Sequence, residues 1–489
     1  HLVAEVAQLK LNARVIATGS LGWREAEPVI AIQMPGGPRV YYGNVTPAIA
    51  SELLRSVVAG VQVRKDLALA VDSDSHDGIP SISTLPFYLK QNRVVTRKCG
   101  RIAAEDLQDA VAVGAYEGLN HTLTTESTAV LEQLEDALGK CVLGKWRVCQ
   151  SSAAKDKYVV AKIADGGALS KDVYLLEGDP HSVLEGLLIA AYAVGANRAV
   201  VCVDRNDAVA TRRLEIALEQ MESAGLVGDG ILGSNFKCAI ELRDVQRGLG
   251  GEEDSILVNF LEGRHARASV PSPAERDLHE RAVVESVEFF AKVSAVMRDP
   301  AQASAVRKSK ILTIAGSAQR TGVIEVSEDT LVQDVVHEIA GGATSGCELK
   351  AVQIGAPVGG WVPTSNLQIT LGCSLGSGSL VVADTQQCAI DLARHAAVAA
   401  HHASCGQCTF GREGTRQLMD VLTDLARGRA KDDDIELLTN LSDSMKLGSL
   451  CVNGRKAPDA VVTTLQHFRA EYEAHVNGKQ CPTEVCEMK

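Results

Sequence analysis

The sequence predicts a multidomain α/β chain that ends in a helical bundle. Three observations carry this. The 489 residues exceed what one core organises and give a prior of roughly two to four domains. From about residue 90 to 300, helical and strand patterns alternate, which implies a mostly parallel sheet covered by helices. From Asp384 to His475 the pattern is helical throughout.

Taken in order, residues 1–85 read as a small α/β unit. Val15-Ile16-Ala17 and Val29-Ile30-Ala31-Ile32 have strand character, and Pro47 to Val61 is an amphipathic helix entered at Thr46-Pro47. The Asp-, Ser-, Gly- and Pro-rich stretch Asp72 to Pro86 predicts a linker. The unit 90–305 contains a helix from Ser182 to Gly195, a strand at Ala199–Val203, a helix from Ala208 to Gly225 and a strand from Phe236 to Leu242. Residues 306–382 are glycine-rich with short strands and predict a compact β-rich module. Residues 383–475 form the helical bundle, and 476–489 a tail.

Composition excludes several function classes. A formal charge of −12 without a basic tract argues against nucleic acid. No apolar run reaches the roughly 18 residues of a membrane span. Thirteen cysteines in a long chain without a signal peptide predict reduced thiols and metal chemistry in a reducing compartment, cytoplasm or organelle matrix. Five of them, Cys405, Cys408, Cys451, Cys481 and Cys486, lie in the last 85 residues. The start at His1 predicts that some N-terminal sequence was processed or left out.

Ser404-Cys405-Gly406-Gln407-Cys408-Thr409-Phe410-Gly411 has the spacing of a C-x-x-C-x-x-C cluster motif with glycine at the third position, and Cys451 stands downstream as a distant ligand. A cubane takes four thiolates, so this cage offers three. Three readings stay open: a three-thiolate or three-iron cluster, a replacement ligand with His401 or His402 as candidates, or an empty site of small buried thiols. The last is preferred, because Phe410 also replaces a proline usual beside such a motif.

The ordered stretches Tyr42-Gly43-Asn44-Val45-Thr46-Pro47, Lys98-Cys99-Gly100-Arg101-Ile102, Leu176 to Val183, Gly251-Glu252-Glu253, Gly355 to Gly360 and Cys405 to Thr415 resemble the NADH-oxidising flavoprotein subunit of complex I. The resemblance is strongest to relatives in NAD-linked or electron-bifurcating hydrogenases and formate dehydrogenases. It implies a thioredoxin-like N-terminal domain, an α/β flavin-type domain, a β-grasp (SLBB-like) module and an iron–sulfur-type bundle. It also implies zinc on Cys388, His475, Cys481 and Cys486, since one histidine and three thiolates make a closed structural set. The relatives continue beyond the point where this chain ends, at Lys489, into a ferredoxin-like extension.

The family's flavin residues would fall on Lys145, Glu252 and Glu253. Here most of the glycine-rich loop before Gly144-Lys145-Trp146 is missing, Asp165 lacks its acidic successor, and Glu285-Ser286 replaces an Asn-Asn pair. A carboxylate there would face the FMN phosphate, which is repulsive at low dielectric. These departures predict that FMN and NAD are not bound. Ser20 and Arg24 stand where relatives carry 2Fe–2S cysteines, so that cluster is not expected either.

The resulting expectation is a non-catalytic or cofactor-poor structural or assembly subunit of a larger NADH-linked redox complex. The alternative is an active subunit passing electrons from NADH through FMN to a 4Fe–4S cluster, and a weaker variant is a flavin-free nucleotide sensor. The resemblance implies a thioredoxin-like 2Fe–2S subunit, a large iron–sulfur subunit and an active paralogue as partners.

Overall fold

The computed structural model describes residues 1–60, 63–164, 169–246, 253–268, 280–344, 346–373 and 378–488. Near the N-terminus, β1 (Ile30–Gln33), β2 (Arg39–Tyr42) and β3 (Ala68–Val71) form an antiparallel sheet in the order β1-β2-β3. Helix α1 (Pro47–Val58) sets Ala50 and Leu53 into its core, and Thr46 caps it by accepting from the Ile49 amide. Val15-Ile16-Ala17 does not form the expected strand. Val15 and Ile16 are exposed, and only Thr18 makes a bridge, to Ala103. The expected linker is largely structured: Ser75–His76 pairs with Ile79–Pro80, and Ile79 and Ile82 are buried.

The central layer holds α2 (Gly144–Ser151), β4 (Tyr158–Lys162), α3 (Pro180–Val194), β5 (Arg198–Val203), α4 (Ala208–Ser223), β6 (Gly228–Asp229), β7 (Lys237–Asp244), α5 (Asp254–Leu261), β8 (Ala282–Ser286) and α6 (Val287–Arg298). The strand order is β8-β4-β5-β7-β6, parallel except for the short edge strand β6. Helix α3 is buried on nearly every side, and its buried Glu185 accepts from the Leu119 amide and the Ser294 hydroxyl. Asp179 accepts from the Ser182 amide at its start, Pro180 sits in its first turn, and Gly195 closes it at φ 74°. It crosses α6 so closely that a Cβ on Gly186 would lie 1.9 Å from the Phe290 carbonyl oxygen.

A second mixed sheet follows: β9 (Ser309–Gly316), β10 (Gly322–Ser327), β11 (Leu349–Ile354), β12 (Trp361–Pro363) and β13 (Ser379–Asp384), in the order β10-β9-β13-β11-β12. Its core is shared with the N-terminal unit. Leu21, Tyr41, Phe87 and Tyr88 join Leu312, Ile324 and Val352 in one cluster. Glu325 of β10 is fully buried and accepts from the amides of Val94, Val95 and Thr96 and the hydroxyls of Thr96 and Ser309. Every lone pair of that carboxylate thus finds a donor, which offsets its desolvation.

The C-terminal bundle comprises α7 (Ala389–His402), α8 (Thr415–Ala426), α9 (Asp434–Gly448), α10 (Val452–Lys456), α11 (Asp459–His467) and α12 (Arg469–Asn477). Among the described residues, no helix is long and apolar enough to cross a membrane.

Candidate functional site

The parallel sheet has a switch point between β4 and β8, because the chain leaves β4 toward β5 while β8 pairs on its other side. Ligands in open α/β sheets bind at the carboxyl ends beside such a point. Lys162 ends β4 directly opposite Ser286 at the end of β8, with Glu285 beside it. Helix α2 adds Lys145 and Trp146, and α5 adds Asp254. Asp254 binds Lys145 at 2.6 Å and Lys162 at 2.7 Å. Burial alone would raise its pKa, but the two ammonium groups hold it below the usual carboxylate range.

Glu285 accepts from Trp146 Nε1 at 3.3 Å. Burial pushes its carboxyl up to about 7, against the pull of Lys145. The repulsion expected between Glu285 and a phosphate is therefore relieved, since the neutral acid is accessible near pH 7 and can donate a hydrogen bond. With two lysines beside it, the switch point fits a phosphorylated cofactor. Glu253 accepts from Ser255 Oγ at 2.7 Å, at the entrance to α5. Glu252 and the Gly166-Gly167 stretch lie outside the described residues.

Two residues beyond Asp254, on the same first turn of α5, Ile256 reaches a second pocket. It packs with Ala268, Cys451 and Cys405. This pocket is lined by Cys405, Cys408, Gly411 and Cys451 together with Ser404, Gln407 and Thr415. Two sulfurs receive backbone amides: Gly411 donates to Cys408 at 3.2 Å and Gly454 to Cys451 at 3.4 Å. Cys451 also stands at the N-terminus of α10, where a helix favours negative charge. Hydrogen bonding to Cys451 draws Cys405 down to about 5 and pushes Cys451 up, so one of the pair is readily a thiolate. A Cβ on Gly411 would lie 3.1 Å from Cys408 Sγ. The backbone of the missing ligand is thus in place at the pocket wall. Neither His401 nor His402, the expected replacements, lines this pocket; His401 Nδ1 bonds Thr415 Oγ1 at 3.2 Å.

The third group is closed. Ligand atoms of Cys388, His475, Cys481 and Cys486 lie within 4.8 Å of one another. Cys388 precedes α7, His475 lies on α12, and the two tail cysteines fold back against them. His475 Nδ1 bonds the Glu471 carbonyl at 2.8 Å, which leaves Nε2, 3.7 Å from Cys388 Sγ, as the atom that could ligate a metal. Cys388 is drawn down to about 4, first by hydrogen bonding to Cys486. Burial would lower His475, but Cys388 and the Glu471 carbonyl raise it to about 9. None of the cysteines described forms a disulfide.

Sequence reasoning missed Lys162, Asp254 and the buried amide of Gln407. Only the position of Lys162 at a strand's carboxyl end signalled a site residue.

Residues 142–295 match the Nuo51 FMN-binding domain, and residues 391–475 match the NADH-ubiquinone oxidoreductase-F iron-sulfur binding region. The NADP-reducing hydrogenase subunit HndC of Solidesulfovibrio fructosivorans is 32% identical over 421 residues, covering 81% of this chain and 86% of that protein. The F 2 subunit of the NADH-quinone oxidoreductase of Rhizobium meliloti (strain 1021) is 32% identical over 360 residues, 69% of this chain and 85% of that protein. Among solved structures, the NAD+-reducing [NiFe]-hydrogenase in its air-oxidized state aligns with a TM-score of 0.68 at 21% identity, over 97% of this chain and 82% of that one. The H2-reduced state gives 0.67 at 22% identity, over 90% and 75%. These matches overturn the expectation that FMN is not bound and that the cysteine pocket is empty; FMN and a 4Fe–4S cluster are expected of this chain. The expectation failed because it weighed departures at single motifs, whereas residues 142–295 match the FMN-binding domain as a whole.

Proposed function

This chain belongs to the family of F subunits of NADH-quinone oxidoreductases and related hydrogenase subunits, and from that membership we propose that it is an electron-transferring subunit of a multi-subunit NADH-linked complex. The observation that carries this is the first turn of α5. Asp254 organises the lysines of the switch point while Ile256, two residues on, lines the cysteine pocket. Two cofactor sites bridged by a single helical turn suit electron transfer between them.

Lys145, Lys162, Glu285 and Ser286 would hold the phosphorylated end of FMN, and Cys405, Cys408 and Cys451 the cluster. FMN, when bound, accepts a hydride and releases electrons singly. Asp254 keeps both ammonium groups oriented, and Glu285 in its neutral form adds a donor. Cys388, His475, Cys481 and Cys486 would bind zinc as a closed structural clasp. We read the N-terminal sheet unit as thioredoxin-like, the mixed sheet as a β-grasp module, and the divisions near residues 85, 305, 382 and 475 as domain limits. Small and large iron–sulfur subunits are the proposed partners, in a reducing compartment.

The test is flavin, iron and zinc content of anaerobically purified protein, with NADH-dependent reduction of ferricyanide. Flavin and iron together with turnover support the proposal. Zinc near one equivalent, without flavin or iron, would restore the non-catalytic scaffold.

A further inference from the structure

We propose that Gln407 takes over the ligand position vacated at Gly411, so that one corner of the cluster is held by a side-chain amide oxygen in place of a thiolate. This inference rests on the cluster reading above and deepens it.

Glycine at 411 removes the ligating atom but leaves the backbone at the pocket wall, 3.1 Å from Cys408 Sγ by its missing Cβ. A replacement supplied by the protein must come from a polar side chain lining the same pocket. Ser404 Oγ is engaged, donating to the Gly411 carbonyl and accepting from the Gly406 amide. Thr415 Oγ1 donates to the Gly411 carbonyl at 2.7 Å. Asn453 has a partner of its own. Gln407 remains: it lines the pocket, and its Oε1 is buried with no hydrogen-bond partner. A buried amide oxygen without a donor is desolvated without return. An iron ion at the empty corner supplies the missing electrophile.

The chemistry of this donor differs from thiolate in two ways. Amide oxygen is harder and neutral, so it binds iron in a sulfide-rich cluster more weakly than a cysteine sulfur does. It also leaves the cluster one negative charge short of a four-cysteine site, which raises the reduction potential. Three irons stay fixed by Cys405, Cys408 and Cys451, and the fourth becomes exchangeable. The geometry points to a cluster that cycles between four-iron and three-iron forms with iron supply and oxidant.

The experiment uses the full chain, reconstituted anaerobically with iron and sulfide, then treated with ferricyanide and a chelator. Ferricyanide takes one electron and one Fe2+ leaves to the chelator, converting [4Fe–4S]2+ to [3Fe–4S]+, which electron paramagnetic resonance detects. The wild-type protein converts and regains its iron on addition of ferrous ion and reductant. Gln407→Ala is in the three-iron form from the start, holding about three irons where the wild type holds about four. Gln407→Glu keeps an oxygen at the position and retains the fourth iron. Gly411→Cys resists conversion under the same treatment. A Gln407→Ala protein that holds its fourth iron as firmly as the wild type overturns the assignment to Gln407. If neither the wild type nor Gly411→Cys takes up iron, the cluster reading itself fails.

Discussion

Two cysteine centres lie in the same helical bundle and obey opposite designs. The clasp of Cys388, His475, Cys481 and Cys486 has four ligand atoms within 4.8 Å of one another, and three of the four residues are buried. The pocket of Cys405, Cys408 and Cys451 has three sulfurs, a glycine at the fourth position and an orphaned amide oxygen. A complete ligand set excludes exchange and contributes folding energy. An incomplete one leaves a coordination position for chemistry. The clasp also gathers residues nearly a hundred positions apart in sequence (388 to 486), while the pocket closes mainly on one turn and one distant residue. On the proposed reading, stability belongs to the first centre and electron traffic to the second.

The largest expected effect breaks this comparison at its stability end. His475→Ala removes a buried ligand from the closed set, so zinc is lost and the melting temperature of the bundle falls by on the order of 10 °C. Cys405→Ser shifts it by no more than about 2 °C, because no tail is pinned there. Differential scanning calorimetry of both variants checks the pair. Equal losses would erase the distinction between clasp and pocket.

The gathering of the four clasp residues was legible through the resemblance, and the switch point only in part, for a physical reason. Those four residues were named through the family resemblance, since the C-terminal clustering of cysteines alone does not include Cys388. Glu285 was read from a flavin motif, but Lys162 and Asp254 are common residues far apart in sequence, and only the fold brings them together. The helix expected at Ser182 to Gly195 formed at Pro180–Val194, since its cap residues mark both ends. Val15-Ile16-Ala17 failed as a strand because local propensity names no partner. The Gly- and Asp-rich stretch after Val71 misled in the other direction: its turn residues hide Ile79 and Ile82, which the core claims.

A second expected effect, about 3 kcal/mol, sharpens the open side. The Glu285 carboxyl, ordinarily near 4.5, is raised to about 7, chiefly by burial. The folded chain thus keeps a proton that the unfolded chain releases. This stability is complete below about pH 4.5 and is lost as pH rises through 7. Glu285→Gln cannot ionise, so it matches the wild type at pH 4 and is more stable than the wild type at pH 8. Urea unfolding at the two values measures this. A variant with the same deficit at both values would show that Glu285 does not titrate in this range.

The smallest effect returns to the clasp and asks what holds its first ligand. Glu471 sits one helical turn before His475; its Oε2 accepts from the Ala389 amide at 2.8 Å, and Lys350 binds its other oxygen at 2.5 Å. Ala389 follows Cys388 directly, so this carboxylate fixes the backbone that aims the cysteine. Its carbonyl meanwhile orients His475, and that contact survives any side-chain change. Glu471→Ala should therefore weaken zinc binding by about 10- to 100-fold, the range for lost outer partners, while leaving all four ligands present. Competition with a chromogenic chelator reads the affinity. Iron and flavin contents should be unchanged, because the open pocket shares no partner with Glu471. A parallel fall in iron would mean that clasp and pocket are coupled through α7, and that the open centre draws its geometry from the closed one.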